Sequence, residues 1–298
     1  MTPAATQRSP LAGIACVSAG VMFLTISDAT AKLLGEHYSP PQILFLRALI
    51  ALPIVLLVTA SLGGRRALRT QHPWLHLTRG AINVVSAGCF YLGLAAMPLA
   101  EATAISYAAP MFVTALSVLL LKERVDGPRW LAVAAGFAGV LVIVQPGSAS
   151  FQPAALLPLT TAVLYAVMMI TARAIGSGEG MLTTMFYIVA AQLVASAVLA
   201  PWFWSPVQLA DLPRFGAVAV FSTLGLTFIT QGFRIGPASV VAPYDYTGLL
   251  WATLLGWLIW RDAPGLAVCV GAIFIAGSGV YIAWREARPR QRRAGRAA

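Results

Sequence analysis

Ten apolar runs, each about 20 residues long and nearly free of charge, follow one another along the chain. They cover about 11–34, 41–62, 74–97, 102–121, 129–146, 154–174, 181–200, 213–233, 239–260 and 265–284. One crossing of a bilayer core takes roughly 20 helical residues. No water is present there to bind stray N–H and C=O groups, so a segment of this length satisfies its backbone by coiling into a helix. The pattern predicts an all-α polytopic membrane protein with ten transmembrane helices. Composition agrees: 59% of the 298 residues are hydrophobic and 10% are charged, against about 25% charged in a soluble domain. So little chain lies between the runs that a soluble catalytic domain has no room.

The net charge of +10 would suggest nucleic acid in a soluble protein. Its placement argues against that partner. Six of the 20 basic residues fall between Arg285 and Arg296, after the last apolar run, where they suit the anionic headgroups of a lipid bilayer. An even number of crossings puts both termini on one side. That side also collects Arg8, Arg65, Arg66, Arg69, Lys122, Arg124, Arg129, Arg173 and Arg234. The other side keeps only Lys32, Arg214 and Arg261 near its helix ends. The positive-inside rule assigns the richer side, and both termini, to the cytoplasm of a bacterial inner membrane. The first run is too long for a signal-peptide core and is expected to remain as helix 1. Cys16, Cys89 and Cys269 lie inside apolar runs, with no spacing that suggests a metal site or a disulfide framework.

The chain resembles itself at a spacing of about 140 residues. Thr30-Ala31-Lys32 matches Thr171-Ala172-Arg173, and Gly93 to Pro98 matches Gly232 to Pro237. Leu121-Lys122-Glu123 matches Trp260-Arg261-Asp262, and Gly139-Val140 matches Gly279-Val280. An odd number of helices per repeat makes the halves inverted. Repeats at 1–148 and 149–286 are expected, followed by a basic tail at 287–298. Inverted repeats are a common transporter design, with the solute held near the midplane between the halves. On Pro98, Glu101, Pro110, Lys122-Glu123-Arg124 and the Gly136/Gly139 helix, the sequence resembles the EamA branch of the drug/metabolite transporter superfamily. In the second half, Arg261-Asp262-Ala263 departs from the Lys-Glu-Arg pattern. The resemblance implies a secondary carrier working by alternating access. It permits export of amino acids, as in YddG-type aromatic amino-acid exporters, or uptake of S-adenosylmethionine or riboflavin.

A charge at mid-bilayer costs about 2.5–3.5 kcal/mol on insertion scales, so intramembrane polar residues mark candidate sites. Asp28 and Arg47 flank the Tyr38-Ser39-Pro40-Pro41 turn at similar depth, roughly 10 Å from the outer surface. They form either a structural clamp, as an ion pair, or a solute or proton site at the outer mouth. Lys32 shares a face with Asp28 and competes for it. The repeat equivalents of Asp28 and Arg47 are Met169 and Tyr187, so the fold does not demand the charges. Asp245 lies in Pro243-Tyr244-Asp245-Tyr246, where proline disrupts the helix. It either receives an amine or proton, or bonds to a neighbouring helix. Tyr107 and Tyr246 match across the repeat, and inversion would place them on opposite approaches to one cavity. Tyr91, Tyr165, Trp251, Asn83, Ser106, Thr227 and Gln231 are further candidates for the solute site or for ordinary packing.

Glu101 begins helix 4 and suits a cap-like role at its positive end. Gly136 and Gly139 allow close packing within the monomer, or a homodimer face. His37, His72 and His76 sit near membrane surfaces, which disfavours a buried imidazole relay. The chain shows no P-loop, Gly-x-Ser-x-Gly or His-Glu-x-x-His pattern. Neither ATP drive, intramembrane hydrolysis nor a bound cofactor is expected, and the protein is read as a carrier rather than an enzyme. A passive channel would instead draw its pore from oligomeric symmetry or charged rings. The solute cavity is expected among helices 1, 3, 4, 6, 8 and 9, with helices 5 and 10 as small-residue supports. Aromatic residues on helices 3, 4, 6 and 9 favour export of an aromatic amino acid, with uptake of S-adenosylmethionine, riboflavin or a related metabolite as the alternative.

Overall fold

The computed structural model describes residues 10–63, 70, 73–122, 125–175 and 181–294. The Glu123-Arg124 part of the Lys-Glu-Arg motif lies outside the described residues, as do Arg8, Arg65, Arg66, Arg69, His72 and the last residues of the tail.

The apolar runs form helices. They are α1 (Pro10–Leu34), α2 (Pro40–Gly63), α3 (Pro73–Ala96), α4 (Leu99–Ser106), α5 (Ala109–Leu121), α6 (Gly127–Val144), α7 (Leu156–Ile175), α8 (Met181–Leu199), α9 (Leu212–Ile235), α10 (Ala238–Val241), α11 (Thr247–Trp260) and α12 (Leu266–Ala294). Among the described residues there are no strands, and nine helical segments are long and apolar enough to cross a bilayer. One of these, Leu99–Leu120, joins α4 and α5. The ninth crossing, 238–260, is cut in two and completes the ten. Between α10 and α11 the chain tightens into a 3-10 turn over Ala242–Tyr246, at Pro243. The fourth crossing breaks at the matching place, Tyr107-Ala108, with Pro110 opening α5. Proline removes a backbone donor and crowds the preceding turn, which accounts for the breaks. Repeat symmetry extends to the helix ends. Lys122 after α5 and Arg261 after α11 both adopt the left-handed conformation, at φ 54° and 60°.

The two halves meet along two close seams. A Cβ placed on Gly20 of α1 would lie 2.8 Å from the Gly225 carbonyl oxygen of α9. A Cβ on Gly139 of α6 would lie 2.7 Å from the Gly271 oxygen of α12. Glycine at these positions lets the backbones touch, a device suited to lipid, where burial of apolar surface gives little drive for helix association. Gly136 also faces Met111 and Ser278 of the same chain. Leu94, Leu99, Ala102, Ile105 and Met111 are fully buried where α3, α4 and α5 meet the second half.

On the face opposite the termini, the α1–α2 turn is tied to the α8–α9 connection. Tyr38 Oη donates to Asp211 Oδ2 at 2.8 Å, and Asp211 pairs with Arg214 at 2.6 Å. Gln42 and Ser205 exchange two hydrogen bonds, at 2.7 and 2.9 Å. Ser39 Oγ donates to the Phe203 carbonyl.

Candidate functional site

The two broken crossings lie side by side, and a cavity of about 520 Å³ opens next to them. Tyr107, Pro110, Val113 and Thr114 line it from the fourth crossing, and Tyr165 and Met169 from α7. Ala242, Asp245 and Tyr246 contribute from the 3-10 turn, and Gly279, Ile282 and Ala283 from α12. These positions run from the middle of each crossing toward the face that carries the termini. The volume lies within the roughly 300–1,000 Å³ of small-molecule sites.

Local backbone geometry aims the side chains. Tyr107 ends α4, and its Oη donates to the Asp245 backbone oxygen at 2.9 Å. The Tyr107 and Tyr246 rings lie 5.3 Å apart, tilted by 47°. They therefore share one wall rather than standing on opposite approaches, because both sit at the breaks of adjacent crossings. Each hydroxyl occupies space left by a glycine: Tyr107 Oη sits over Gly248, and Tyr246 Oη over Gly279. Tyr246 Oη is buried and has no hydrogen-bond partner among the described residues. The Asp245 carboxylate lines the cavity, with no hydrogen bond or ion pair to its side chain among the described residues. A carboxylate amid three tyrosine rings is suited to a solute combining positive charge with a flat aromatic ring, through charge attraction, cation–π contact and stacking.

The remaining candidates are elsewhere. Arg47 Nη1 donates to Tyr91 Oη at 3.1 Å, and Tyr91 is buried away from the cavity lining. Asp28 and Arg47 form no ion pair within 4 Å among the described residues, so the clamp expected there is absent as a direct contact. Arg47 reaches Tyr91 instead. Lys32 does not compete for Asp28. Its Nζ donates to the Met97 carbonyl at 2.5 Å and lies 5.1 Å from the centre of the Trp260 ring. Asn83 Nδ2 donates to Gln192 Oε1 at 3.3 Å, tying α3 to α8. Trp251 packs against Val17, Val21 and Val241, and Gln231 is exposed on α9. Ser106 Oγ donates to the Pro158 carbonyl, and Thr227 Oγ1 to that of Thr223. Glu101 stands in the first turn of α4 without a side-chain cap hydrogen bond.

The cavity walls also correct the expected helix set. Helices 1, 3 and 8 do not line it, whereas α12, the tenth crossing, does. Its small Gly279 and Ala283 make room there. Thr114, Met169, Ile282 and Ala283 carried no chemical signal in the sequence as site residues. Their glycine and proline neighbours, Gly279 and Pro110, did appear among the repeat and motif residues.

The EamA-like transporter family model matches residues 11–145. The S-adenosylmethionine uptake transporter of Rickettsia prowazekii is 27% identical over 279 residues, covering 94% of this chain and 95% of that protein. The riboflavin transporter of Rhizobium johnstonii is 31% identical over 227 residues, covering 76% and 75%. The pseudopaline exporter of Pseudomonas aeruginosa is 29% identical over 270 residues, covering 89% and 92%. A solved crystal structure superposes with a TM-score of 0.64 at 22% identity, covering 94% of this chain and 99% of the other, which establishes likeness of fold. Ten crossings, paired broken helices and a cavity between the halves belong to the same design, and this chain is a small-metabolite transporter of the EamA-like family, within the drug/metabolite transporter superfamily.

Proposed function

We propose that this protein is a secondary carrier for the uptake of S-adenosylmethionine or a related cationic heteroaromatic metabolite. The observation that carries the reading is the Asp245 carboxylate, without a side-chain partner among the described residues, at a cavity walled by Tyr107, Tyr165 and Tyr246. The relatives named above include uptake carriers for S-adenosylmethionine and for riboflavin, and an exporter of a different metabolite. They support uptake of such a metabolite better than export of an aromatic amino acid. Riboflavin suits the aromatic walls, but it offers no positive charge to Asp245.

The arginine-rich face supports cytoplasmic termini, and the cavity then opens to the cytoplasm. A substrate with net positive charge would be drawn inward by the membrane potential, by about 2.3 kcal/mol per charge per 100 mV. Flux into proteoliposomes tests the reading. Saturable uptake of radiolabelled S-adenosylmethionine, increased by an inside-negative potential, is expected. Saturable flux of phenylalanine or tryptophan, with none of S-adenosylmethionine or riboflavin, would return the reading to amino-acid export.

A further inference from the structure

We propose that Asp28, Arg47 and Tyr91 form a second subsite above the tyrosine-walled cavity, and that it receives the zwitterionic α-amino-acid group of the transported solute. The proposal rests on the carrier reading above and deepens it.

Depth brings the groups together. Asp28 lies six residues from the Leu34 end of α1, Arg47 seven from the start of α2, and Tyr91 five from the end of α3. At 1.5 Å per residue they stand about 8–10 Å below the outer ends of their helices. Tyr107, eight residues into the fourth crossing, stands about 12 Å below. In depth, the nest therefore stands within one helical turn of Tyr107 in the cavity wall.

Its charges are held apart. Arg47 uses one donor on the Tyr91 hydroxyl. A guanidinium has five donors, so most of its capacity remains. Among the described residues, the Asp28 carboxylate accepts no hydrogen bond and lies beyond 4 Å from every cation. α3, which carries Tyr91, packs against both α1 and α2, so Asp28 and Arg47 flank it at one depth. Lys32, the other nearby cation, is held by the Met97 carbonyl and Trp260. Two unlike intramembrane charges at one depth, without a direct contact among the described residues, call for a bridging group. A carboxylate and an ammonium on one carbon supply it, the first toward Arg47 and the second toward Asp28. Met169 and Tyr187 stand at the matching positions of the second half. The architecture is thus built there without either charge. The solute would place its amino-acid end in this nest and its flat, cationic part among Tyr107, Tyr165 and Tyr246.

The test is equilibrium binding of tritiated S-adenosylmethionine to the purified full chain, beside 5′-dimethylsulfonio-5′-deoxyadenosine, which keeps the adenosine and the sulfonium charge but lacks the amino-acid group. Wild type should prefer S-adenosylmethionine at least tenfold. Arg47→Gln and Asp28→Asn should each raise its Kd at least tenfold, leave the Kd for the dimethylsulfonio analogue within twofold, and so erase the preference. Thermal melts identify folded variants, and the near-isosteric Asp28→Asn carries the comparison should Arg47→Gln not fold. Equal weakening of both ligands, an unchanged preference, or a wild type with no preference overturns the proposal. Parallel flux separates the two readings. A preference lost in the variants without wild-type flux keeps the nest and removes the carrier. Flux with the preference intact in both variants does the reverse.

Discussion

At the scale of the residue, the cavity depends on side chains whose nearest neighbours are missing rather than present. Gly279 has no Cβ, and the Tyr246 hydroxyl fills that space. Gly279→Val should drive Tyr246 into the cavity and overfill the site. Overpacking of this kind costs about 1–3 kcal/mol. The expected outcome is a lower melting temperature together with loss of saturable flux, with Gly279→Ala intermediate. Asp245 gives a cleaner separation of charge from shape. Asp245→Asn keeps the volume and removes the negative charge. Affinity for a cationic solute should fall about tenfold, equivalent to about 1.4 kcal/mol, while a neutral flavin should be little affected. Competition binding reads both ligands on one preparation, and an equal loss for the two would assign Asp245 a structural role.

At the scale of the element, the supports are more conventional than the site. α6 and α12 touch backbone to backbone at Gly139 and Gly271, and a charged contact closes the end of that seam. Asp126 stands at the N-cap position of α6 but makes no side-chain cap hydrogen bond. It accepts instead from Arg285 of α12, through Nε at 2.7 Å and through Nη2. The Arg285 hydrogen bond holds the Asp126 carboxyl below its ordinary 3.8. A carboxylate whose folded-state pKa is lowered stabilises the fold above its unfolded pKa, and that contribution disappears as the pH falls through the folded value. The melting temperature of wild type should therefore drop on acidification below about pH 4. Arg285→Gln should melt lower than wild type at pH 6, and the gap should close under acid. The contact is exposed to solvent, so the effect should be small and weakened by salt.

At the scale of the whole molecule, the structure is open on one face and closed on the other. Lys32 binds the Met97 carbonyl at the α3–α4 junction and sits over Trp260 at the end of α11. It thereby joins the outer ends of both broken crossings, the elements that carry Tyr107 and Tyr246. Lys32→Ala should loosen that closure. In a background lacking Cys16, Cys89 and Cys269, a cysteine at Thr114 should react with a membrane-impermeant maleimide only from the face with the termini. With Lys32→Ala added, labelling from the opposite face should rise severalfold. No change would mean that the buried Leu94–Leu99–Ala102 layer alone closes that side.

Ten crossings and the helical class were legible in the order of residues, because lipid imposes one simple condition: an apolar run of sufficient length must satisfy its own backbone. Pro243, Asp245 and the Tyr107/Tyr246 match were visible for the same reason, since helix breaks and charges are rare in apolar runs. Packing decided which of these groups share a space. It brought Tyr107 and Tyr246 to one wall, turned Arg47 to Tyr91 and Lys32 to Met97, and moved Trp251 and Gln231 away from the cavity. It also admitted α12, whose Gly279 and Ala283 serve by leaving room. Helical spacing gives the depth and face of a residue along one crossing, but the rotation of that crossing against its neighbours depends on close contacts over the whole bundle.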